Sequence, residues 1–259
     1  MSFSVVIPAR YESSRLPGKP LAVIHGHPMV YWTWLHAKKA GAERVIIATE
    51  SQQVADMCAK FGAEVCMTGD HHQSGTERIA EVINLCGFAE DDIIVNLQGD
   101  EPMMPAELIH QVAQGLEDNP EIPMSTLCEA MSTLEDVFDP NKVKVSRDAT
   151  DCAITFSRAP LPWARDEFAE EDKVLPEDFP YFRHLGLYAY RASFVKRYIA
   201  WPECRLEQVE KLEQLRVLWH GEKILVAQAL CESGVGVDTH QDLEKVRELI
   251  GANLDKFEH

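Results

Sequence analysis

Apolar and polar positions follow two alternating periods through the first half of the chain. Short β-branched runs at Ser4–Pro8, Arg44–Thr49, Glu64–Thr68 and Asp92–Gln98 predict strands. Between them, apolar residues recur at helical spacing over about 28–40, 52–61 and 76–86, with a further helix near 105–116. Strands separated by helices of this length predict βαβ units in a mainly parallel sheet covered on both faces. Ligands of such sheets sit beyond the carboxyl ends of the strands, which singles out the loops after Ile7, Thr68 and Leu97.

The pattern changes near Met124. Met124–Met131, Lys142–Ser146, Ala153–Ser157 and Leu185–Arg191 read as strands broken by proline-rich turns and by an acidic stretch, Arg165–Asp178. An insertion or second lobe on the same sheet, at about 124–192 within a single domain of 1–259, is the expectation. Leu206, Val209, Leu212, Leu215 and Leu218 form one apolar stripe and predict one helix reaching about Trp219. Ile224–Ala229 reads as a last strand and Asp242–Ile250 as a closing helix.

Composition narrows the function. The 259 residues are 46% hydrophobic and 26% charged, as in an ordinary globular protein. Met1–Pro8 carries too short an apolar run for a signal peptide, and no stretch approaches a membrane span, so a cytoplasmic protein is expected. Seven scattered cysteines, none in a C-x-x-C pair, suggest free thiols in a reducing compartment. A net charge of −17 disfavours nucleic acid and anionic lipid as partners. Within so acidic a chain, any local cluster of cations is informative.

Such a cluster directly follows the first strand. Pro8-Ala9-Arg10-Tyr11-Glu12-Ser13-Ser14-Arg15-Leu16-Pro17-Gly18-Lys19-Pro20 places Arg10, Arg15 and Lys19 against one acid. Arginine can fork two phosphate oxygens and lysine acts as a point charge, which suits a triphosphate cradle. A solvated basic turn is the alternative, and charge clustering alone does not separate the two. The loop is not a Walker A motif, since the upstream glycine is missing and proline follows Lys19.

A second segment, Asn96-Leu97-Gln98-Gly99-Asp100-Glu101-Pro102, ends the fourth strand. Asp100 there suits a magnesium ligand, although a lone strand-end Asp more often caps a turn. Glu101 precedes proline and reads as a turn residue. Asp238, after the last strand, offers a partner carboxylate, or else Asp238 or Thr239 caps the next helix. The third segment, Asp70–Arg78, contains small polar side chains that could bind a base edge or an anion, together with Ser74 and Glu77 at capping-box spacing. His71-His72 without further ligand spacing reads as ordinary loop histidines.

Read together, these segments resemble the 3-deoxy-manno-octulosonate (Kdo) cytidylyltransferases. The likeness continues through Phe156-Ser157-Arg158, Arg183-His184-Leu185-Gly186-Leu187-Tyr188, Leu212-Glu213-Gln214-Leu215-Arg216 and Gly236-Val237-Asp238-Thr239. The resemblance implies a nucleotide-diphospho-sugar transferase α/β fold with an inserted β-rich dimerisation lobe, a homodimer, and magnesium as cofactor. It implies transfer of CMP from CTP to an eight-carbon sugar acid, for lipopolysaccharide synthesis. Lys19, Arg15, Asp100 and Asp238 would be catalytic, the two aspartates holding the metal. Pro8, Ala9, Arg10, Arg15, Lys19, Gln73, Ser74, Gly75, Thr76, Arg78 and Gln98 would meet the nucleotide. Arg158, His184, Tyr188, Glu210, Glu213 and Gln214 would line the sugar pocket.

Two departures from the family pattern bear on the substrate. Glu12 adds an acid to the phosphate loop, and Cys204-Arg205 replace small residues and proline before the helix near the sugar. Two readings of Glu207, Glu210 and Glu213 stand: acids that suit an 8-amino analogue of the sugar, or ordinary solvated and sugar-binding positions. CMP-sialate synthesis and a non-catalytic nucleotide-binding regulator are the other readings.

Overall fold

The buried runs of the first half form strands whose alternate residues feed two separate cores. The computed structural model describes residues 2–12, 16–72, 74–169 and 171–254. It begins with β1 (Phe3–Pro8), a single 3-10 turn at Lys19–Leu21, and a hairpin of β2 (Val23–Ile24) and β3 (His27–Pro28). Then come α1 (Met29–Lys39), β4 (Arg44–Thr49), α2 (Gln52–Lys60), β5 (Glu64–Met67), α3 (Gly75–Leu85), β6 (Ile93–Asn96) and α4 (Ala106–Asp118). β1 lies between β4 and β6, parallel to both, and β5 extends the sheet beyond β4. Val5 and Ile7 pack with Val30 of α1 and Leu108 of α4, while Val6 packs with Ile79 and Val82 of α3. A strand sealed on both faces in this way must be apolar at every position.

The second half extends the same sheet. β7 (Met124–Met131), α5 (Leu134–Phe138), β8 (Lys144–Arg147), β9 (Ala153–Ser157) and β10 (Tyr181–Arg191) are followed by α6 (Ala192–Ala200), α7 (Arg205–Glu210), α8 (Leu215–Trp219), β11 (Ile224–Gln228) and α9 (His240–Gly251). The main path runs β11-β7-β10-β6-β1-β4-β5, with β8 joined to β10 and β9 to β8. Along that path only β10 runs against the others, pairing antiparallel with both β6 and β7. The mainly parallel α/β sheet flanked by helices is therefore as expected.

Two expectations need correction. The single helix through Leu206–Trp219 is instead α7 and α8, separated at Lys211, whose backbone is left-handed at φ 54° and ψ 48°. The apolar stripe does not lie on one buried face: Val209 is 83% exposed, whereas Leu212 and Leu215 are buried. The break buries Gln214 and sets Glu213 on the wall of a cavity. β10 also starts at Tyr181 rather than Leu185, because Tyr181–His184 pair with Met131–Cys128 of β7.

Candidate active site

The loops singled out by the sheet topology converge. Gly99, after β6, donates its N–H to Pro8 O, and a Cβ at Gly99 would stand 2.8 Å from that oxygen. Only glycine lets these two loops close on each other. Pro8, Ala9, Arg10, Glu12, Lys19, Gly75, Arg78, Gln98, Asp100 and Asp238 line one cavity of about 340 Å³. Arg15 and Gln73 lie outside the described residues. Thr76 faces a neighbouring cavity, and Ser74 serves as the N-cap of α3, accepting from Glu77 N at 3.2 Å.

At the centre of the first cavity, the buried Lys19 Nζ donates to Asp100 Oδ2 at 2.5 Å and to Asp238 Oδ1 at 3.3 Å. Local sequence explains this geometry. Gly18 takes φ 68°, and Pro20 fixes the 3-10 turn that carries Lys19. Val237 N donates to Asp100 O at 2.9 Å, and Val237 packs in a cluster with Leu16, Ile24, Trp32 and Leu243 that ties α9 to the first loop. Thr239 caps α9 in a reciprocal box with Asp242, so the Asp238 carboxylate is not the helix cap. Two carboxylates facing one ammonium form a hard oxygen donor set suited to a divalent cation. Among the described residues no group of three or more metal-ligating side chains forms a cage. Two carboxylates completed by water and phosphate oxygens is the arrangement magnesium favours.

Glu101 is the residue that sequence reading passed over. Burial, then the neighbouring Asp100 and Asp238, push its carboxyl up to about 7. Its signal was adjacency to Asp100. Glu50 was also passed over. Its Oε1 accepts from Tyr11 N at 2.9 Å and its Oε2 lies 2.9 Å from Arg78 Nη2. This one carboxylate at the end of β4 thereby links the first loop to α3 and offsets the charge of the buried Arg78. His72 pairs with Glu81.

Two further cavities adjoin the first. One of about 270 Å³ is lined by Gly75, Thr76, Asn96, Gln98, Tyr188, Tyr190, Tyr198, Lys211, Glu213 and Gln214. Burial raises the Glu213 carboxyl, although Thr76 Oγ1 donates to its Oε2 at 3.3 Å. The other, of about 670 Å³, includes Asp100, Glu101, Arg183, His184, Tyr188 and Gln214. Of the residues expected in the sugar pocket, His184, Tyr188, Glu213 and Gln214 therefore line cavity walls. Arg158 and Glu210 do not line these cavities; they bind each other. Glu210 accepts from Ser157 Oγ at 2.7 Å and Arg158 N at 3.0 Å, while Arg158 Nε donates to Glu210 O at 2.7 Å.

The buried His36 and the partly buried His184 are held neutral. Burial, with Lys39 alongside, lowers His36 to about 4, and burial, with Arg183 alongside, lowers His184 to about 3. In the unfolded chain both titrate near about pH 6.5, so below that the unfolded state binds more protons and acid destabilises the fold. The melting temperature is therefore expected to fall as pH drops from about 6.5 towards 4, with a shallower slope in His36→Gln by scanning calorimetry. An identical slope in that variant would remove His36 from the account.

A sequence model of the cytidylyltransferase family matches residues 4–224. The 3-deoxy-manno-octulosonate cytidylyltransferase 1 of Hydrogenovibrio crunogenus is 66% identical over 255 residues, covering 98% of each chain. This chain belongs to the 3-deoxy-manno-octulosonate cytidylyltransferase family. A relative of the same name from Pseudomonas fluorescens is 53% identical over 97% of this chain and 99% of its own. The solved structure of a CMP:2-keto-3-deoxy-manno-octonic acid synthetase complexed with CTP superposes with a TM-score of 0.88. It is 40% identical and covers 97% of this chain and 100% of its own. The family model ends before Asp238, but the full-length relatives extend across nearly the whole chain, α9 included.

Proposed function

We propose that the chain transfers CMP from CTP to the anomeric hydroxyl of 3-deoxy-manno-octulosonate and releases pyrophosphate. The observation that carries this reading is the meeting of Lys19, Asp100 and Asp238 where the loop-lined cavity opens onto the one holding His184, Tyr188 and Gln214. The sugar oxygen forms a bond to the α-phosphorus, and the α–β phosphoanhydride bond breaks. Such transfer depends on positioning and charge neutralisation more than on covalent help.

Arg10 and Lys19 bind phosphate oxygens in this scheme, and the start of α3 faces the base and ribose. His184, Tyr188, Glu213 and Gln214 orient the sugar. Asp100 and Asp238 would hold magnesium, which would neutralise phosphate charge and lower the pKa of the attacking hydroxyl. The chain acts as a homodimer in the cytoplasm, where its seven free cysteines, five of them buried, stay reduced. No helix among the described residues is long and apolar enough to cross a membrane.

The 8-amino sugar is disfavoured by the positions of the acids. Glu207 forms a buried pair with Arg216, at 2.5 Å and 2.8 Å, and Glu210 is engaged by Ser157 and Arg158. Of the three acids that could meet an ammonium, Glu213 alone lines a cavity. Purified protein with CTP, magnesium and either sugar should release pyrophosphate rapidly with Kdo and slowly with its 8-amino analogue. The reverse preference would reassign the substrate, and silence with both would overturn the enzymatic reading.

A further inference from the structure

β10 does not run evenly beside β7. Leu185 pairs with Leu127 and Tyr188 pairs with Thr126, so three steps along β10 match one along β7. Gly186 and Leu187 form the extra two-residue bulge. At about 3.3 Å per residue, positions four apart in an even strand would be separated by roughly 13 Å. The rings of His184 and Tyr188 instead lie with centroids 5.3 Å apart. The bulge therefore gathers two side chains that a regular strand would hold apart.

The hydroxyl that closes this bulge belongs to Thr126, which is 1% exposed. Its Oγ1 lies 2.8 Å from Leu187 O, 3.0 Å from Leu185 O and 3.0 Å from His184 Nε2. A hydroxyl has one proton to donate, and the two carbonyls can only accept. That proton is thus directed between Leu187 O and Leu185 O, and the hydroxyl oxygen accepts from His184. The imidazole must then carry its hydrogen on Nε2. Because the ring is neutral, Nδ1 keeps the lone pair. Phe156 packs edge-on against the same ring, with centroids 4.9 Å apart, and restricts its rotation.

We propose that Thr126 is a positioning residue of the sugar site: its hydroxyl closes the Leu185–Tyr188 bulge and fixes His184 as the Nε2–H tautomer, presenting Nδ1 as an acceptor for a sugar hydroxyl. This rests on the reading of His184 and Tyr188 as sugar-facing. Thr126 touches no reacting atom. It acts through the ring it orients and through the spacing of the two aromatic side chains.

Thr126→Val keeps the shape and removes the hydroxyl, whereas Thr126→Ser keeps the hydroxyl. The KM for Kdo is expected to rise about tenfold in the valine variant, with the KM for CTP unchanged, and to return close to wild type in the serine variant. Equal sugar KM in all three proteins, or parallel loss of affinity for both substrates, overturns the proposal. A second measurement does not depend on how well the valine variant folds. Long-range 15N–1H spectra of the wild-type imidazoles, with the His184 signal assigned by its loss in His184→Gln, should show hydrogen on Nε2. Hydrogen on Nδ1 instead overturns the proposal. Wild-type pyrophosphate release with Kdo is measured in parallel, so failure of the functional reading would show there and not in the tautomer.

Discussion

Replacing Asp100 by asparagine is expected to lower kcat for pyrophosphate release by about 10²–10³. The substitution preserves shape and removes one of two carboxylates that face Lys19, the nearer at 2.5 Å. A divalent cation at this place would lose a charged ligand, and the ammonium would lose the partner that aims it. The loss should persist with CTP and Kdo both saturating, since it concerns charge that develops during transfer and not the affinity of the ground state. Higher magnesium concentrations should recover part of it in the variant and leave the wild type unaffected. Turnover close to wild type would remove Asp100 from the metal and catalytic roles together.

Gly234→Ala should have the other large effect, and it acts through the backbone. A Cβ at Gly234 would stand 2.2 Å from Met103 O and 2.5 Å from Met103 C. No flexible side chain can yield there, so the segment running to Asp238 must move as a piece away from the turn after Asp100. Overpacking of this kind costs about 1–3 kcal/mol, and the melting temperature should fall by several degrees. Because the same shift separates Asp238 from Lys19, kcat measured well below the melting transition should fall more than about tenfold. A variant that melts early but turns over normally would show that the segment relaxes without carrying Asp238 with it. Normal melting and normal turnover together would contradict the close packing itself.

The parallel half of the fold was legible because its strands are sealed on both faces, which leaves unbroken apolar runs such as Val5-Val6-Ile7. The α7–α8 break was not. Leu206 and Val209 keep helical spacing whether or not they are buried, and packing alone shows that they face outward. The early start of β10 was hidden for the opposite reason: Arg183 and His184 look like loop residues, yet one pairs with Glu129 and the other meets Thr126 across the ladder. At the site, the three cation- and carboxylate-bearing loops could be named one by one. Their meeting could not be seen, since Lys19 is 81 positions from Asp100 and 219 from Asp238. Capping and coordination also compete for the same short stretch of sequence, and the structure separates them by giving the cap to Thr239 and leaving Asp238 to Lys19. Glu50 and Thr126 carry no motif, and Glu101 lies in one that reads only as a turn. Each matters through a neighbour that only the tertiary fold supplies.

Because β10 is stitched to β6 on one side and, across its bulge, to β7 on the other, one sheet runs beneath both the cavity at Lys19 and the cavity at His184. Many transferases enclose their reactants by swinging two lobes about a hinge, and here such a swing would have to tear a central ladder. Above that sheet, the cavity walls include the turn at 139–143 and the elbow between α7 and α8. The spacing between the two cavities is then set by the sheet itself and not by a hinge.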